Sequence, residues 1–203
     1  MRRIPLSRRS HITGFRPISG KAVEHESALE RDFVTLTSFL DAGATITSQP
    51  VTIWFGEHKP RRYTPDFSVA WSDGRLELVE VKYRADLRTN WTRLRPGFVA
   101  ARGWASEHGA TFRIATERAI RGPLLDNAKR LLPLRSMPFD AAVLTKVVSA
   151  ARALQAPTVG RIVAALPGDR AVAIAAVWRA IACGLLLVDL VAPVHRDTPA
   201  RVP

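Results

Sequence analysis

The sequence predicts an α/β fold, a mixed sheet flanked by helices, with a small winged-helix-like module after it. Apolar residues recur at helical spacing before and after a group of strand-like runs, and a Ser-Asp-Gly turn joins two of these runs. Beyond residue 135 the composition shifts to Ala, Val and Leu with few charges, which indicates a second, helical unit. We therefore expect a basic flexible arm over 1–21, a first domain over 22–135 and a second over 136–203.

The first helix is predicted between Ser27 and Leu40, where apolar residues recur every three or four positions. Ser27 and Glu30 have the spacing of a capping box, which satisfies the first backbone N–H groups of a helix. Residues 84–95 are predicted as a basic loop, and 133–138 as a linker between the domains. Further helices are predicted over 96–108, 123–132, 140–154, 158–166 and 170–183, and strands over 45–55, 66–71, 76–83, 111–115 and 185–190.

The composition argues against a membrane-spanning, disulfide-rich or disordered protein. Of the 203 residues, 47% are hydrophobic and 24% are charged, which suits a chain that buries a core. The apolar stretch 171–194 is interrupted by Arg179 and Asp189, so we interpret it as a core element rather than a membrane span. Cys183 is the only cysteine, which fits a reducing compartment, and the cytoplasm is the expected location.

The net charge of +12 arises from 30 Lys and Arg against 18 Asp and Glu, and it is unevenly distributed. Residues 1–21 hold six basic side chains and no acidic one. A basic surface attracts polyanions through the release of their counterions, which favours a nucleic acid as the partner. The alternative is a solvated basic surface without a partner, since charge alone does not specify a ligand.

Three charged side chains are expected to meet on the hairpin around residues 72–74. Glu80 and Lys82 project from the same face, because side chains alternate along a strand. A three-residue loop would set Asp66 opposite Glu80, whereas a two-residue loop would turn Asp66 to the other face. Because Gly74 tolerates the left-handed conformation that such loops need, we predict the three-residue loop or a bulge.

Two carboxylates at contact distance repel each other, and a divalent cation relieves this repulsion. Mg²⁺ binds one or two carboxylates together with water and phosphate oxygens, and it activates water for phosphodiester hydrolysis. Lys82 would orient that water or stabilise charge on the phosphate. The candidate phosphate contacts are Lys59, Arg61, Arg62, Arg84, Arg88, Arg93 and Arg95.

Each of these features also has an ordinary structural explanation. Asp, Glu and Lys on a hairpin often form cross-strand ion pairs, each worth less than about 1 kcal/mol. The apolar residues around Glu80 argue against that explanation, because a charge on a buried strand needs a partner.

Glu30 is either a third carboxylate of the cluster or a helix cap, and Glu26, one turn earlier, is its rival for both roles. The five His residues form no metal-spaced pair. The tryptophans expected in the core, rather than as stacking platforms for bases, are Trp54, Trp71, Trp91 and Trp104.

Several short blocks follow one another in an order that is typical of one protein family. They are Ser27-Ala28-Leu29-Glu30-Arg31-Asp32-Phe33, Gln49-Pro50-Val51-Thr52-Ile53, Tyr63-Thr64-Pro65-Asp66-Phe67, Val79-Glu80-Val81-Lys82-Tyr83, Thr116-Glu117-Arg118-Ala119-Ile120-Arg121 and Leu124-Leu125-Asp126-Asn127. In this order they resemble the TnsA endonuclease subunit of heteromeric cut-and-paste transposases. The resemblance covers about residues 22–135, and the C-terminal part resembles the family's winged-helix domain only in outline.

The resemblance implies a PD-(D/E)xK restriction-endonuclease-like fold and Mg²⁺-dependent hydrolysis of the 5′ strands at transposon ends, with Mn²⁺ able to substitute. It implies that Asp66, Glu80 and Val81 are the metal ligands. Lys82 would assist the attacking water, and Glu30 would be the helix carboxylate of the catalytic set. The implied partners are double-stranded DNA at transposon ends, a TnsB-like DDE transposase that cuts and joins the 3′ strands, and a TnsC-like AAA+ ATPase that docks on the C-terminal region. The protein would then act on the nucleoid in a bacterial cytoplasm.

Two other functions stay open on the sequence: a stand-alone restriction- or repair-type nuclease of the same fold, and a non-catalytic DNA-binding transposition adaptor. The C-terminal module does not look like a reader of DNA. Its helix 170–183 offers only Arg170 and Arg179 as basic residues, whereas a recognition helix presents several polar groups to base edges. We expect this module to make protein contacts or to serve core packing.

Overall fold

In the computed structural model, which describes residues 14–18 and 21–203, the chain forms eight strands and seven helices. It divides into two units, one that ends at Arg121 and one that runs from Gly122 to Pro203. The division comes earlier in the chain than the predicted boundary after residue 135. The reason is that a helix passes without a break through most of the expected linker 133–138, to Ser136.

The first unit is a mixed α/β structure, as the sequence predicted. Four of its strands form a sheet in the order β3-β6-β7-β8, in which the first three are antiparallel neighbours and β8 runs parallel to β7. The parallel pair follows from α2, which connects β7 to β8. The elements are β1 (Gly14–Ile18), β2 (Lys21–His25), α1 (Ala28–Leu40), β3 (Thr45–Ser48), β4 (Ile53–Phe55), β5 (Arg61–Tyr63), β6 (Phe67–Ala70), β7 (Leu76–Val81), α2 (Arg84–Glu107), β8 (Thr111–Ala115) and α3 (Glu117–Ile120).

Helices cover the sheet on both faces. On one face, Phe33 of α1 stacks on Phe67 of β6, with ring centroids 5.4 Å apart. On the other face, Ala101 and Ala105 of α2 join Leu78 of β7 in a buried apolar cluster. Since Phe67 pairs with Val79, the neighbour of Leu78, the alternation of side chains sends the two clusters to opposite sides.

The single strand predicted over 45–55 is wrong, because the chain breaks it at Gln49 and Pro50. Gln49 has a φ of +45°, outside the extended region, and Pro50 has no N–H to donate to a neighbouring strand. The segment therefore forms β3, in the main sheet, and β4, which pairs with β5 as a separate two-stranded ribbon.

The basic loop predicted over 84–95 is also wrong, because these residues form the first half of α2. The helix begins at Arg84, whose backbone N–H donates to the Glu117 side chain at 2.9 Å. The sequence pointed to Pro96 as the first residue of the helix, since proline favours that position. Instead Pro96 lies inside the helix, because the Glu117 carboxylate accepts a hydrogen bond from Arg84 and fixes the start of the helix there.

The described part of the predicted N-terminal arm is not a flexible coil. β1 pairs with β2 in an antiparallel register from Gly14↔His25 to Ile18↔Lys21. The scattered Pro and Gly residues suggested irregular chain, but pairing between the two segments supplies the backbone hydrogen bonds that no local pattern predicts. The rest of the arm, 1–13 and 19–20, lies outside the described residues.

The second unit consists of four helices and an irregular C-terminal segment. They are α4 (Pro123–Ser136), α5 (Ala141–Ala153), α6 (Val159–Ala165) and α7 (Arg170–Ala182). The last three agree with the predicted helices, and the side chains of Asp140, Thr158 and Asp169 cap them. The predicted strand 185–190 is absent. Within it, Leu187 forms an isolated antiparallel bridge to Arg201, and Thr158, at the start of α6, forms another to Pro199. The winged-helix character of the unit stays a prediction.

None of the helices in the described part of the chain is both long enough and apolar enough to cross a membrane.

Candidate active site

The turn between β6 and β7 has three residues, 72–74. Backbone hydrogen bonds from Trp71 N–H to Arg75 O (2.9 Å) and from Gly74 N–H to Trp71 O (3.0 Å) close it. Gly74 has a φ of +89°, which an L-residue rarely adopts. The three-residue loop predicted from the sequence is therefore confirmed.

This loop sets the register of the hairpin. Phe67 pairs with Val79. One step further along the same register, Asp66 lies opposite Glu80, and the two side chains point to the same face. The hairpin thus brings together the two carboxylates that the sequence singled out.

Glu80 is the most buried member of the group, with 4% of its surface exposed. Its Oε2 accepts a hydrogen bond of 2.6 Å from the Tyr63 hydroxyl. Its Oε1 lies 3.2 Å from the Lys82 ammonium. Both oxygens of this buried carboxylate therefore have polar partners, which offset the cost of removing it from water.

Lys82 lies among three carboxylates. Burial alone would lower the pKa of Lys82, but attraction to Asp66, Glu80 and Glu30 outweighs it and holds the pKa above its ordinary value. The lysine is thus a permanent positive charge at neutral pH. It can stabilise negative charge on a phosphate but is not suited to accept a proton.

Asp66 is held by the strand beside it. Its Oδ2 accepts a hydrogen bond of 2.7 Å from the backbone N–H of Val81, while its Oδ1 makes none within the described residues. Burial raises the pKa of Asp66 well above its ordinary value, and repulsion from Glu80 raises it further, although Lys82 and the Val81 bond oppose the shift. A bound cation would remove this repulsion and keep both carboxylates ionised.

Glu30 plays its structural role and also contributes charge to the group. It completes the capping arrangement of α1, in which its Oε1 accepts from the Ser27 hydroxyl (2.9 Å) and its Oε2 from the Glu26 N–H (2.7 Å). Burial raises the pKa of Glu30, and the Lys82 ammonium acts in the opposite direction. The two explanations of Glu30 are therefore compatible. Glu26 is exposed and accepts a hydrogen bond from the Gln49 amide (3.0 Å).

Tyr63 is a site residue whose contact with Glu80 was not predicted from the sequence. Its ring packs edge-on against Phe98 and Phe112, with centroids 5.8 and 6.4 Å apart. Gly97 of α2 lies so close that a Cβ there would be 2.9 Å from Cδ2 of the tyrosine ring. Burial, followed by the charge of Glu80, raises the pKa of Tyr63, so its hydroxyl stays protonated and acts as a donor. No strand was predicted at Tyr63, and the contact was missed because Tyr63 belongs to the β4–β5 ribbon and not to the hairpin.

The donor set fits a cation only in part. Among the described residues, no group of three or more His, Cys, Asp or Glu side chains is arranged to hold a metal ion. Asp66 offers its Oδ1, which has no hydrogen-bond partner among the described residues. Both oxygens of Glu80 already have partners, so Glu80 can bind an ion only through an oxygen that also contacts Tyr63 or Lys82, or by releasing Lys82. Mg²⁺ commonly binds one or two carboxylates and completes its shell with water and phosphate, so two ligands of this kind suit it. Val81 belongs to the group through its N–H, which positions Asp66.

The predicted phosphate contacts fall on two elements, and all are exposed. Arg84, Arg88 and Arg95 follow a spacing that places them on one face of α2. Arg93 lies elsewhere on the helix, where its carbonyl accepts a hydrogen bond of 3.5 Å from Arg61. The remaining candidates, Lys59, Arg61 and Arg62, are in or beside β5, the strand that ends at Tyr63.

Two of the four tryptophans expected in the core are instead exposed. Trp54 exposes 66% of its surface and Trp91 47%. Trp71 is partly exposed, and Arg75 lies over its ring. Trp104, in contrast, packs against the buried cluster of α2, as expected. The prediction failed for Trp54 because the short β4–β5 ribbon has only one covered face.

A brace connects the end of β7 with helix α1. The Arg121 guanidinium donates to the buried carboxylate of Asp32 and to the Tyr83 hydroxyl, both at 3.0 Å. Tyr83 follows Lys82, and Asp32 lies two residues after Glu30. Arg121 therefore fixes the spacing between the two elements that carry Glu30 and Lys82.

A comparison with protein-family models matches residues 44–117 to the family described as TnsA-like endonuclease N terminal. Residues 44–117 are similar to the TnsA-like endonuclease N-terminal domain. The matched segment contains Asp66, Glu80, Lys82 and the β4–β5 ribbon, while Glu30 and the second unit lie outside it. No curated protein matches the sequence.

The match agrees with the fold and with the resemblance noted in the sequence. The mixed sheet flanked by helices fits a restriction-endonuclease-like fold. The match supports a nuclease related to transposase subunits.

Proposed function

We propose that this protein is the Mg²⁺-dependent endonuclease subunit of a heteromeric transposase and hydrolyses the 5′ strands at transposon ends. The single observation that carries the proposal is the hairpin register that sets Asp66 opposite Glu80, with Lys82 3.2 Å from Glu80, inside a TnsA-like domain. These are the oxygen ligands and the cation that phosphodiester hydrolysis requires.

The chemistry follows from the residues present. Asp66 and Glu80 would hold Mg²⁺, or Mn²⁺ in its place, with Val81 beside them. When bound, Mg²⁺ supplies positive charge to the scissile phosphate and lowers the pKa of a bound water. Lys82 stabilises the charge that builds up on the phosphate, and Glu30 adds a carboxylate that attracts Lys82.

In the overall reaction, the oxygen of a water molecule bonds to phosphorus and one P–O ester bond breaks. One proton of the water ends on the leaving deoxyribose oxygen. The basic groups on α2 and on the β4–β5 ribbon would hold the DNA backbone during this step.

The partners belong to the same proposal. A TnsB-like DDE transposase would cut and join the 3′ strands, and a TnsC-like AAA+ ATPase would bind the second unit. In favour of protein contacts by that unit, α7 leaves Val172 and Ile174 exposed and carries few basic residues. The protein would act in a bacterial cytoplasm, at the nucleoid.

The proposal is tested with transposon-end DNA labelled separately on each strand, incubated with Mg²⁺ and a candidate TnsB-like DDE transposase. Nicks in the 5′ strand that depend on this protein, and that Asp66→Asn abolishes, are the expected result. Cleavage of unrelated DNA without any transposase would identify a stand-alone nuclease. If wild type and Asp66→Asn produce the same 5′ nicks, the site assignment is wrong. If wild type produces no 5′ nicks, the protein is a non-catalytic adaptor.

A further inference from the structure

The outer face of the β4–β5 ribbon presents an exposed tryptophan beside an arginine. Trp54 lies directly opposite Arg62 in the antiparallel register, so both side chains project from the same face. Ile53, the neighbour of Trp54, points to the opposite face and is buried, with 6% of its surface exposed. Trp54 exposes 66% of its surface, the largest exposed fraction among the aromatic residues that the structure describes.

An indole in water is costly, because tryptophan has one of the largest apolar surfaces of any side chain. A single exposed apolar residue does not by itself mark a binding site, so the groups around Trp54 decide what it can bind. The inner face of the ribbon is already covered by α2 through Ile53 and Tyr63, so Trp54 is not needed for the core.

The charges around Trp54 indicate what binds there. Lys59 and Arg62 are exposed, and neither forms an ion pair with a carboxylate within the described residues. Arg61 lies over the Phe55 ring, with the guanidinium carbon 5.3 Å from its centroid. Glu57 is the only acidic residue between 53 and 63. A flat apolar ring among unpaired cations matches a ligand that has flat aromatic faces and a phosphate backbone.

We propose that the outer face of the ribbon is a binding site for unpaired DNA. Trp54 stacks on a base, while Arg62 and Lys59 contact the phosphates beside it. The site takes unpaired rather than duplex DNA, because the faces of paired bases are covered by their neighbours in the stack. The inference rests on the proposed function and locates the strand beside the candidate active site, since Tyr63 on the inner face of the same ribbon contacts Glu80.

The experiment measures binding by fluorescence anisotropy in EDTA, so that no cleavage occurs. Three labelled probes are used: a duplex, the same duplex with an unpaired extension, and the same molecule with abasic sites throughout the extension. The variants are Trp54→Ala, Trp54→Phe and Arg62→Ala. Leu40→Ala is the matched control, because Leu40 is also an exposed apolar residue, at 56%, but lies at the end of α1 beside Asp41.

Wild type is expected to bind the extension with bases more tightly than the abasic one. Trp54→Ala should weaken binding to the extension with bases by about tenfold and leave the other two probes unchanged, while Trp54→Phe keeps most of the affinity. Arg62→Ala should weaken both extensions and reduce the slope of log affinity against log salt by about one. Leu40→Ala should change nothing.

The inference is overturned if Trp54→Ala binds the extension with bases as wild type does, or loses the same factor on the abasic probe. It is also overturned if Trp54→Ala weakens only the complex with the transposase, which would make the surface a protein contact. These results leave the proposed nuclease function intact. If wild type binds none of the probes, the proposed function fails together with the inference.

Discussion

The Tyr63 hydroxyl donates a 2.6 Å hydrogen bond to Glu80, the most buried carboxylate of the candidate active site. The bond joins two separate pieces of sheet, since Tyr63 ends the β4–β5 ribbon and Glu80 lies in β7. The ribbon also carries Arg61 and Arg62, which are candidate DNA contacts. The surface that would hold DNA and the carboxylate that would hold the metal are therefore mechanically connected.

Tyr63→Phe tests this connection, because it removes the hydroxyl and keeps the ring in its aromatic packing. Glu80 then has Lys82 as its only polar partner among those described above, and its orientation is less constrained. We expect Mg²⁺-dependent cleavage to fall by about 10- to 100-fold, as is usual when the partner of a metal ligand is removed. Single-turnover cleavage at several Mg²⁺ concentrations measures this. DNA affinity in EDTA should be unchanged, and a loss confined to DNA affinity would contradict the assignment.

Gly97→Ala should weaken the hydrogen bond between Tyr63 and Glu80 by displacing the tyrosine ring. The added methyl group would lie 2.9 Å from Cδ2 of Tyr63, so the ring must move away from α2 and carry its hydroxyl away from Glu80. We expect the cleavage rate to fall at least as far as in Tyr63→Phe.

The matched control is Gly103→Ala, in the same helix. A Cβ at Gly103 meets no atom within 4 Å. This substitution should raise the free energy of unfolding by about 0.5–1 kcal/mol, as alanine does in helices, and should leave cleavage unchanged. Equal loss of cleavage in both variants would show that α2, rather than the contact with Tyr63, is sensitive to substitution.

Asp66→Asn is expected to stabilise the metal-free protein at neutral pH while it abolishes cleavage. The pKa of Asp66 is raised in the folded state, so the ionised form reduces stability at any pH above that folded value. As the pH falls through the raised pKa towards the unfolded value near 3.8, wild type takes up a proton and the penalty disappears. The difference in melting temperature between Asp66→Asn and wild type should therefore be positive at pH 7 and shrink on acidification.

Asp73→Asn is a control for which the change in stability at neutral pH should have the opposite sign. The backbone N–H of Arg75 and then its side chain lower the pKa of the exposed Asp73, so its ionised form stabilises the fold above the unfolded pKa. Asp73→Asn should be less stable than wild type at pH 7, and the difference should vanish as the pH falls through the lowered value. If both variants respond to pH in the same direction, the raised pKa assigned to Asp66 is wrong.

Arg121→Gln should weaken the brace between α1 and the end of β7. The variant leaves the buried Asp32 carboxylate without its 3.0 Å guanidinium partner, and the loss of such a bond costs about 1–3 kcal/mol. Chemical denaturation measures the change in the free energy of unfolding. Arg118→Gln, one turn earlier and without a described ion pair, is the control and should stay within about 0.5 kcal/mol of wild type.

The sequence predicted the hairpin well because its determinants are local. The alternation in β7 and the Ser-Asp-Gly turn together specify both the face of Glu80 and the partner of Asp66. The capping box at Ser27 and Glu30 is equally local and is present. Features of this kind depend on residues that are close together in the sequence, where periodicity and turn signals can be read directly.

The failures involve contacts between distant segments. The start of α2 depends on Glu117, which lies 33 residues after Arg84 and caps it. Tyr63 reaches Glu80 from another sheet, and no spacing along the chain reveals that hydroxyl bond. Trp54 was placed in the core on its residue type alone, whereas its exposure follows from a two-stranded ribbon with one covered face.

The most direct measurement of the central claim is the rate of DNA cleavage as a function of Mg²⁺ for wild type, Asp66→Asn and Lys82→Gln. We predict that wild type cuts only when Mg²⁺ is present and that each substitution lowers the maximal rate by at least about a hundredfold. All three proteins should remain folded, as judged by their melting curves. Cleavage by folded Asp66→Asn at the wild-type rate, or unchanged cleavage in EDTA, would contradict the account.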